Sequence, residues 1–340
     1  SGVKYGEMLE TVRSEMETAR PARGFAARVR RVVLWHLVAH QRRLRWAFRL
    51  AWLGERLGLR RLAVWLRLLP RWQDALLPEI PSGHERAPLV GTFVPQGASR
   101  GTVLLFTGCV MEQMFGGINR TTRDVLIANG FTVRVPTTQR CCGALLVHNG
   151  QAGRARELAA GNVAAFSGDE TIVVNSAGCG CALREYGHLL GTADGEAFAA
   201  RVRDVSEVLA DAGLTATPAA FEGRVAYDDP CHLCHGQGVR AQPRALLAQV
   251  PRLTLVAHAE PEECCGSGGI YNLAQRDLAA EIGRRKAAHL IASEADCVAT
   301  GNPGCMLQIR AHLRAAGSRM RVVHPIELLA PPSGSTISRS

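Results

Sequence analysis

The sequence predicts an α/β protein in which two similar cysteine-rich units follow a basic helical region. Three observations lead to this prediction. Matching cysteines recur at a nearly constant offset, short β-branched runs alternate with stretches of helical period, and arginines and tryptophans concentrate in the first 80 of 340 residues. Alternating β and α segments are typical of parallel sheets flanked by helices. We expect a basic helical region at 1–80, a linker at 81–100, and cysteine-rich domains at 101–215 and 216–332.

The first region has the periodicity of amphipathic helices. Apolar residues recur at helical spacing in two stretches, Leu44, Ala47, Phe48, Ala51 and Trp52, then Leu62, Trp65, Leu66 and Leu69. Fourteen arginines against two acids between residues 20 and 78 give this segment a charge of +12. The whole chain has a net charge of +10, so the remaining residues are slightly acidic. A cysteine-rich part without a basic stripe argues against a nucleic-acid partner.

Two further observations bound the class of protein. The apolar runs are shorter than the ~20 residues that a membrane-spanning helix needs. No N-terminal stretch has the features of a secretory signal, so we expect a cytoplasmic protein. In that setting, eleven cysteines at regular spacings indicate metal binding or catalysis rather than disulfides.

The cysteine-rich part is an internal repeat. The first copy contains Gly108-Cys109, Cys141-Cys142-Gly143 and Ser176-Ala177-Gly178-Cys179, and the second contains Pro230-Cys231, Cys264-Cys265-Gly266 and Asn302-Pro303-Gly304-Cys305. The offsets between matching cysteines are 122, 123 and 126. Three matched positions at a common offset are a strong signal of duplication.

Each copy alternates predicted strands and helices. The strands are at 102–106, 131–135, 171–175, 224–228, 253–257 and 297–300, and the helices are at 119–128, 154–166, 273–291 and 306–315. Each matched cysteine group follows a predicted strand. Because the carboxyl ends of parallel strands meet at one edge of a sheet, we expect the three groups of a copy to converge there.

Four soft thiolates per copy are the usual ligand set of an iron–sulfur cluster, here of the 4Fe–4S type. The predicted ligands are Cys109, Cys141, Cys142, Cys179, Cys231, Cys264, Cys265 and Cys305. Adjacent cysteines reach one small ion poorly, whereas a cluster presents several iron atoms to them. The glycine after each pair permits a sharp turn or a close backbone approach. A zinc ion in one half remains an alternative.

The remaining cysteines and two histidines have separate interpretations. Cys181 and Cys234 have no counterparts in the other copy, and each is a candidate fifth ligand or reactive thiol. Cys297 lies in a predicted strand and is interpreted as a buried apolar residue. The Cys231–His235 stretch fits a haem-attachment pattern, but that use requires export. We expect His232 and His235 to bond cluster sulfurs or line the crevice instead.

A Cys, a later Cys-Cys-Gly and a final Cys-containing turn resemble the cysteine-rich CCG domain family. That family includes the cysteine-rich subunit of heterodisulfide reductase and the iron–sulfur subunits of anaerobic glycerol-3-phosphate dehydrogenase, lactate utilisation and glycolate oxidase. The chain is most similar to the glycolate oxidase (glycolate dehydrogenase) iron–sulfur subunits, in residues 1–6, 176–190 and 300–305.

The resemblance implies an electron-transfer subunit. A partner that carries FAD would oxidise glycolate or another 2-hydroxy acid, and this chain would pass the electrons towards quinone. A thiol–disulfide enzyme like heterodisulfide reductase and a zinc-stabilised module without a redox role are the alternatives. In the family, a ferredoxin segment precedes the Ser-Gly-Val-x-Tyr-Gly motif, and we expect this chain to lack it. Ala182 and Gln308 stand where some members have another cysteine, so a five-cysteine site is not expected.

All five tryptophans lie in the arginine-rich region (Trp35, Trp46, Trp52, Trp65 and Trp72). Aromatic residues beside arginines suit a helix at an anionic membrane surface, which would place the subunit peripherally on the inner face of the cell membrane. We favour the alternative, in which these residues pack against a ferredoxin domain or a partner subunit and the arginines are solvated.

Overall fold

The computed structural model describes residues 5–19, 24–69, 79–332 and 338–339. Trp72 and the start of the similar stretch at 1–6 lie outside these ranges. Within them, two sheets flanked by helices follow a helical N-terminal region. This is the predicted α/β class with two cysteine-rich units.

The N-terminal region is helical, as predicted. It comprises α1 (Tyr5–Ala19), α2 (Phe25–Val33), a π-helical turn (Leu34–Val38), α3 (Gln41–Arg56) and α4 (Leu59–Trp65). The predicted apolar face of α3 turns inward, because Leu44 is buried and Phe48 packs on the core. In α4, however, Leu62 and Trp65 are exposed to solvent. Among the described residues, no helix combines the length and the apolar character needed to cross a bilayer.

The first sheet contains β1 (Gly91–Val94), β2 (Thr102–Phe106), β3 (Thr132–Val135), β4 (Thr171–Val174), β5 (Val202–Asp204) and β10 (Ser338–Arg339). Their order is β10-β1-β3-β2-β4-β5. The pairs β3–β2, β2–β4 and β4–β5 are parallel, whereas β1 is antiparallel to β3 and to β10. The stretch predicted as a linker therefore contains β1, which lies between β10 and β3 in this sheet.

The second sheet contains β6 (Gly223–Tyr227), β7 (Leu253–Val256), β8 (Cys297–Ala299) and β9 (Arg321–Val323). Its order is β7-β6-β8-β9, and every pair is parallel. This order repeats the β3-β2-β4-β5 order of the first sheet. The duplication seen in the cysteines therefore extends to the sheet topology.

Apolar residues on both faces of β2 explain why this strand is central. Val103 and Leu105 point into the large core that the two copies share, while Leu104 and Phe106 point into a second core on the opposite face. Alternate residues of a strand face opposite sides of the sheet, so a continuous apolar run predicts burial on both faces.

The helices of the two copies connect the strands and cover both sheets. In the first copy they are α5 (Val110–Met114), α6 (Gly116–Ala128), α7 (Ala144–Val147), α8 (Ala152–Ala165), α9 (Ala177–Arg184), α10 (Tyr186–Leu190), α11 (Ala193–Ala200) and α12 (Val205–Ala212). In the second they are α13 (Cys231–Cys234), α14 (Ala241–Leu247), α15 (Tyr271–Ala274), α16 (Arg276–Ala292), α17 (Pro303–Ala315) and α18 (Pro325–Leu328).

The sequence prediction missed short elements and one break. Strands β1, β5, β9 and β10, which contain two to four residues each, were not predicted. The helix predicted at 273–291 is two helices, since the backbone of Gln275 leaves the helical region at φ −125° and ψ 64°.

Candidate metal centres

The four matched thiols of the first copy meet at the carboxyl edge of the first sheet. Cys109 follows β2, the pair Cys141 and Cys142 follows β3, and Cys179 lies in the first turn of α9, after β4. The Sγ atoms of Cys109 and Cys141 are 3.4 Å apart, and those of Cys142 and Cys179 are also 3.4 Å apart. The structure therefore brings together four sulfurs that lie up to 70 residues apart in the sequence.

The second copy repeats this arrangement. Cys231 begins α13 after β6, Cys264 and Cys265 follow β7, and Cys305 lies in the first turn of α17, after β8. The Sγ atoms of Cys265 and Cys305 are 3.0 Å apart, and the Cys231 thiol bonds to Cys264. The four residues differ in burial, because Cys264 is exposed while Cys265 and Cys305 are buried. We call these sets the first and second thiol groups.

The glycine after each cysteine pair has the backbone geometry that the sequence predicted. Gly143 and Gly266 both have φ of +85°, which is the left-handed region. At Gly266 a Cβ atom would lie 2.6 Å from the carbonyl oxygen of Ala279. Any other residue would therefore clash and strain the turn that directs both sulfurs to the same side.

The first cysteine of each pair is the one stabilised as a thiolate. Hydrogen bonds from Cys109 and Cys142 hold the pKa of Cys141 well below its usual range, and the Gly143 N–H adds to the effect. In the second group, bonds from Cys231 and Cys265 and from the Gly266 N–H likewise lower the pKa of Cys264. The thiolate is the form of cysteine that ligates metals.

The donors fit an iron–sulfur cluster in type and in number. Each copy offers four sulfurs joined by successive contacts, and Fe–S clusters are held by Cys thiolates, typically four. Asn302 donates from Nδ2 to the Cys305 sulfur at 3.4 Å, and the Gly266 N–H donates to Cys264 at 3.3 Å. Such bonds to sulfur are characteristic of metal-ligating thiolates and tune the bound metal.

The two histidines of the haem-like stretch lie in different places. His232 is close to the second group, with Nδ1 3.4 Å from the Cys231 sulfur, and its ring lies edge-on to His148. Burial lowers its pKa. His235 faces away from the thiols, because its Nδ1 contacts Arg240 and its Nε2 is 3.8 Å from Glu262. The structure therefore brings only His232 of this pair to the sulfurs.

The other cysteines stand outside the two groups. Cys181 faces Glu185 at 3.7 Å, and its pKa is raised to about 12 by burial. Cys297 is fully buried in β8, as predicted. Cys234 lies with His235 and Glu262, and their three ligand atoms fall within 4.8 Å of one another. The Arg240 guanidinium binds both His235 and Glu262, so this cluster already contains a cation.

A cavity of about 460 Å³ opens between the copies. All four thiols of the first group line it, together with His232, Ser267, Asn272 and Asn302 from the second copy. No thiol of the second group lines it. The first group therefore faces a cavity between the halves, while the second has Cys264 at the protein surface.

One residue near the first group was not predicted as part of the site. Tyr186 is fully buried and donates its hydroxyl hydrogen to the carbonyl oxygen of Cys142 at 3.0 Å. It lies in the 176–190 stretch that carries the family resemblance. That stretch was the available signal, but it did not indicate which loop the tyrosine would contact.

Comparison with known proteins agrees with this geometry. The CCG cysteine-rich domain family matches residues 103–184 and 225–310, which contain the first and second thiol groups respectively. A Bacillus subtilis (strain 168) protein named "Probable glycolate oxidase iron-sulfur subunit" is 33% identical over 356 residues, which cover 99% of this chain and 80% of that protein.

Two further relatives cover less of the chain. A Methanothermobacter marburgensis protein named as a subunit of fumarate reductase (CoM/CoB) is 34% identical over 66% of this chain and 45% of its own length. Lactate utilization protein A of Oceanobacillus iheyensis is 30% identical over 67% of this chain and 96% of its own length. From the repeated thiol geometry and these similarities together, the chain belongs to the cysteine-rich CCG family of oxidoreductase iron–sulfur subunits that includes the glycolate oxidase iron–sulfur subunit.

Proposed function

We propose that the chain is the iron–sulfur electron-transfer subunit of a flavin-dependent glycolate (2-hydroxy acid) dehydrogenase. It relays electrons from a flavin-bearing partner towards quinone. The observation that carries the proposal is the convergence of four thiols in each copy. The Sγ separations are 3.0–3.4 Å for Cys109–Cys141, Cys142–Cys179 and Cys265–Cys305. Similarity to a relative named for glycolate oxidase supports the choice of reaction.

The eight matched cysteines are the proposed ligands of two sites within the domains at 101–215 and 216–332. A cluster of the 4Fe–4S type would supply one-electron transfer when bound there. The chain's own residues hold the sulfurs and set their surroundings. Gly143 and Gly266 make the turns, Asn302 donates to a sulfur, and His232 lies beside Cys231. Hydrogen bonds to sulfur and exposure to solvent both influence reduction potential, so the exposed second group would differ from the first.

Oxidation of the hydroxy acid belongs to the partner in this proposal. The sequence contains no glycine-rich nucleotide-binding motif that would hold a flavin or nicotinamide cofactor. A partner containing FAD would accept the hydride and deliver electrons singly to this chain.

Anaerobic purification with iron, sulfide and zinc analysis tests the cofactor assignment. We expect iron and acid-labile sulfide in equal amounts, and visible absorbance that dithionite bleaches. Stoichiometric zinc without sulfide would instead support the zinc-stabilised module. Adding a flavin-dependent 2-hydroxy-acid dehydrogenase that co-purifies with this chain should give glycolate-dependent dye reduction that requires both chains. Dye reduction of equal rate without this chain would contradict the relay.

A thiol–disulfide reaction is the second candidate, and the cavity against the first thiol group favours it. In that reaction a substrate disulfide would take up two electrons, delivered by a redox partner, and two protons, and it would leave as two thiols. Consumption of a small disulfide by the reduced holo-protein, with release of two thiols per disulfide, would support this candidate over the relay alone.

We also propose that the N-terminal helices associate peripherally with an anionic membrane surface. On α3, apolar side chains at successive turns are exposed, namely Trp46, Leu50, Leu53 and Leu57. Trp65 of α4 is 76% exposed. Exposed arginines flank these residues, at Arg42, Arg43, Arg49, Arg56, Arg61 and Arg67. Aromatic and apolar residues beside arginines are typical of helices that lie in the interface of anionic membranes.

A further inference from the structure

The two copies place a fully buried polar residue at matching positions of matching helices. Asn162 lies in α8 and Lys286 in α16, and both are 0% exposed. They are 124 residues apart, within the 122–126 range of the matched cysteines. Each helix follows the cysteine pair of its copy and precedes the next strand. The two residues are therefore counterparts in the repeat.

Asn162 holds the loop that carries the first cysteine pair. Its Oδ1 accepts from the backbone N–H of Arg140 at 2.7 Å, and its Nδ2 donates to the carbonyl oxygen of Cys141 at 3.2 Å. The same Nδ2 donates to the Tyr186 hydroxyl, which in turn donates to the carbonyl oxygen of Cys142. One neutral amide, directly or through Tyr186, thus contacts the backbone of three successive residues.

Lys286 contacts the loop before the second cysteine pair with an ammonium group. Its Nζ donates to the carbonyl oxygens of Glu260 at 2.9 Å and Pro261 at 3.3 Å. It also pairs with Asp228 Oδ1 at 2.8 Å, and Asp228 is only 1% exposed. Glu260 and Pro261 lie in the loop that leads from β7 to Cys264, and Asp228 begins the segment that leads from β6 to Cys231. Lys286 therefore joins two segments that each carry a thiol of the second group.

A buried ion pair alone would be weak evidence for a role, because its desolvation cost offsets much of its attraction. The contacts to Glu260 and Pro261 add a positional constraint that an apolar side chain could not supply. His258 Nε2 also lies 3.8 Å from Asp228 Oδ1, and the Asp229 N–H donates to the Pro261 carbonyl at 3.1 Å. The polar contacts around Lys286 thus converge on the same loop.

We propose that Lys286 is the positioning residue of the second thiol group, and that Asn162 has this role for the first. The proposal rests on the proposed function in taking the thiols as cluster ligands. It adds that the two sites are held by different chemistry, a buried ion pair in one and a neutral amide in the other. Each residue should then affect its own site and leave the other unchanged.

Lys286→Met and Asn162→Ala test this, with Arg284→Met and Glu157→Ala as exposed controls on the same two helices. Hydrogen exchange is measured first on the chain without added iron. We expect Lys286→Met to raise exchange about tenfold in residues 258–266 and to leave 138–144 unchanged, and Asn162→Ala to do the reverse. The controls should match the wild-type chain in both segments.

The same variants are then reconstituted with iron and sulfide and compared by iron content and electron paramagnetic resonance. Lys286→Met should alter only the signal that Cys265→Ser removes, and Asn162→Ala only the signal that Cys142→Ser removes. Equal changes in both signals, or no change in either signal, would overturn the proposal. If the wild-type chain binds no iron, the proposed function fails, while the exchange data still decide the positioning role.

Lys286→Met leaves Asp228 as an unpaired buried charge, and this alone could prevent folding. The double variant Asp228→Asn with Lys286→Met removes both charges and still lacks the donors to Glu260 and Pro261. We expect it to fold and to retain fast exchange in 258–266. Wild-type exchange in that segment would overturn the role of Lys286.

Discussion

The side chain of Asn302 joins the two thiol groups through Gly178. Its Oδ1 accepts from the Gly178 backbone N–H at 3.1 Å, and its Nδ2 donates to the Cys305 sulfur at 3.4 Å. Gly178 immediately precedes Cys179, so one amide links the final cysteine turn of each copy. Next to it, the Ala177 N–H donates to the Gly301 carbonyl at 3.0 Å. The matched turns of the two copies therefore contact each other directly.

We expect Asn302→Ala to lower the free energy of unfolding by about 1–2 kcal/mol, because two hydrogen bonds are lost at a half-buried position. Asn302→Asp should cost less, since its carboxylate can still accept from Gly178. Urea unfolding of the three proteins measures the difference. Equal stability of the alanine variant and the wild-type chain would show that this bridge contributes nothing.

Replacing Cys142 or Cys265 with serine should remove the visible absorbance of the corresponding site, because a serine hydroxyl is a poor ligand for iron. Cys297→Ser is the matched control, since this cysteine is buried in β8 and away from both groups. Absorbance and iron content after anaerobic reconstitution provide the measurement. A full set of clusters in the Cys142 and Cys265 double variant would refute the ligand assignment.

Tyr186→Phe should destabilise the chain by about 1–3 kcal/mol, because the buried carbonyl of Cys142 loses its donor. Tyr227→Phe is the matched control. Tyr227 is also buried, but its hydroxyl has no hydrogen-bond partner within the described part of the chain. Thermal unfolding should therefore separate the two variants, and equal melting temperatures would contradict the role of the Tyr186 hydroxyl.

The stability of the protein should decrease as the pH falls, because of His324. Burial lowers its folded-state pKa from 6.5 to about 4, and the ring accepts from the Ile326 N–H while Nε2 lies 2.8 Å from the Asn175 carbonyl. Between pH 6.5 and 4 the unfolded chain binds more protons, so stability is lost as pH falls, by up to about 3 kcal/mol from this group. His324→Asn should unfold with a shallower pH dependence over this range. Parallel curves for the two proteins would argue against the effect.

Vesicle flotation tests the membrane proposal. The holo-protein should float with phosphatidylglycerol vesicles at low salt and dissociate as salt screens the arginines. Trp46→Ser with Trp65→Ser should abolish flotation, whereas Leu278→Ser, which changes an exposed leucine on α16, should not. A holo-protein that ignores these vesicles would favour packing of the N-terminal helices against a partner.

Much of the fold was predictable because its signals are local in the sequence. The strand predicted at 102–106 is β2, and the helix predicted at 306–315 lies within α17. Cysteine spacing and alternating β and α periodicity sufficed to predict that distant sulfurs converge, since parallel strands end at a common edge. The place of Gly143 and Gly266 after each cysteine pair indicated a sharp turn or a close backbone approach, and both residues have a positive φ.

Other features depend on contacts between residues far apart in the chain. Pairing of β1 with β3 and β10 has no local signal, because its partners lie about 40 and 245 residues further along the chain. His232 and His235 are three residues apart, yet only His232 contacts a thiol of the second group, since the side chain of His235 contacts Arg240 instead.

The amino-acid pattern established two duplicated units with four thiols each, because periodicity and repeat offset are properties of the chain alone. Folding was required to identify Asn162 and Lys286 as counterparts. Asparagine and lysine are unrelated residue types, so the sequence does not show that these two positions have a similar role. They become equivalent through the backbone groups that each helix brings within hydrogen-bonding distance.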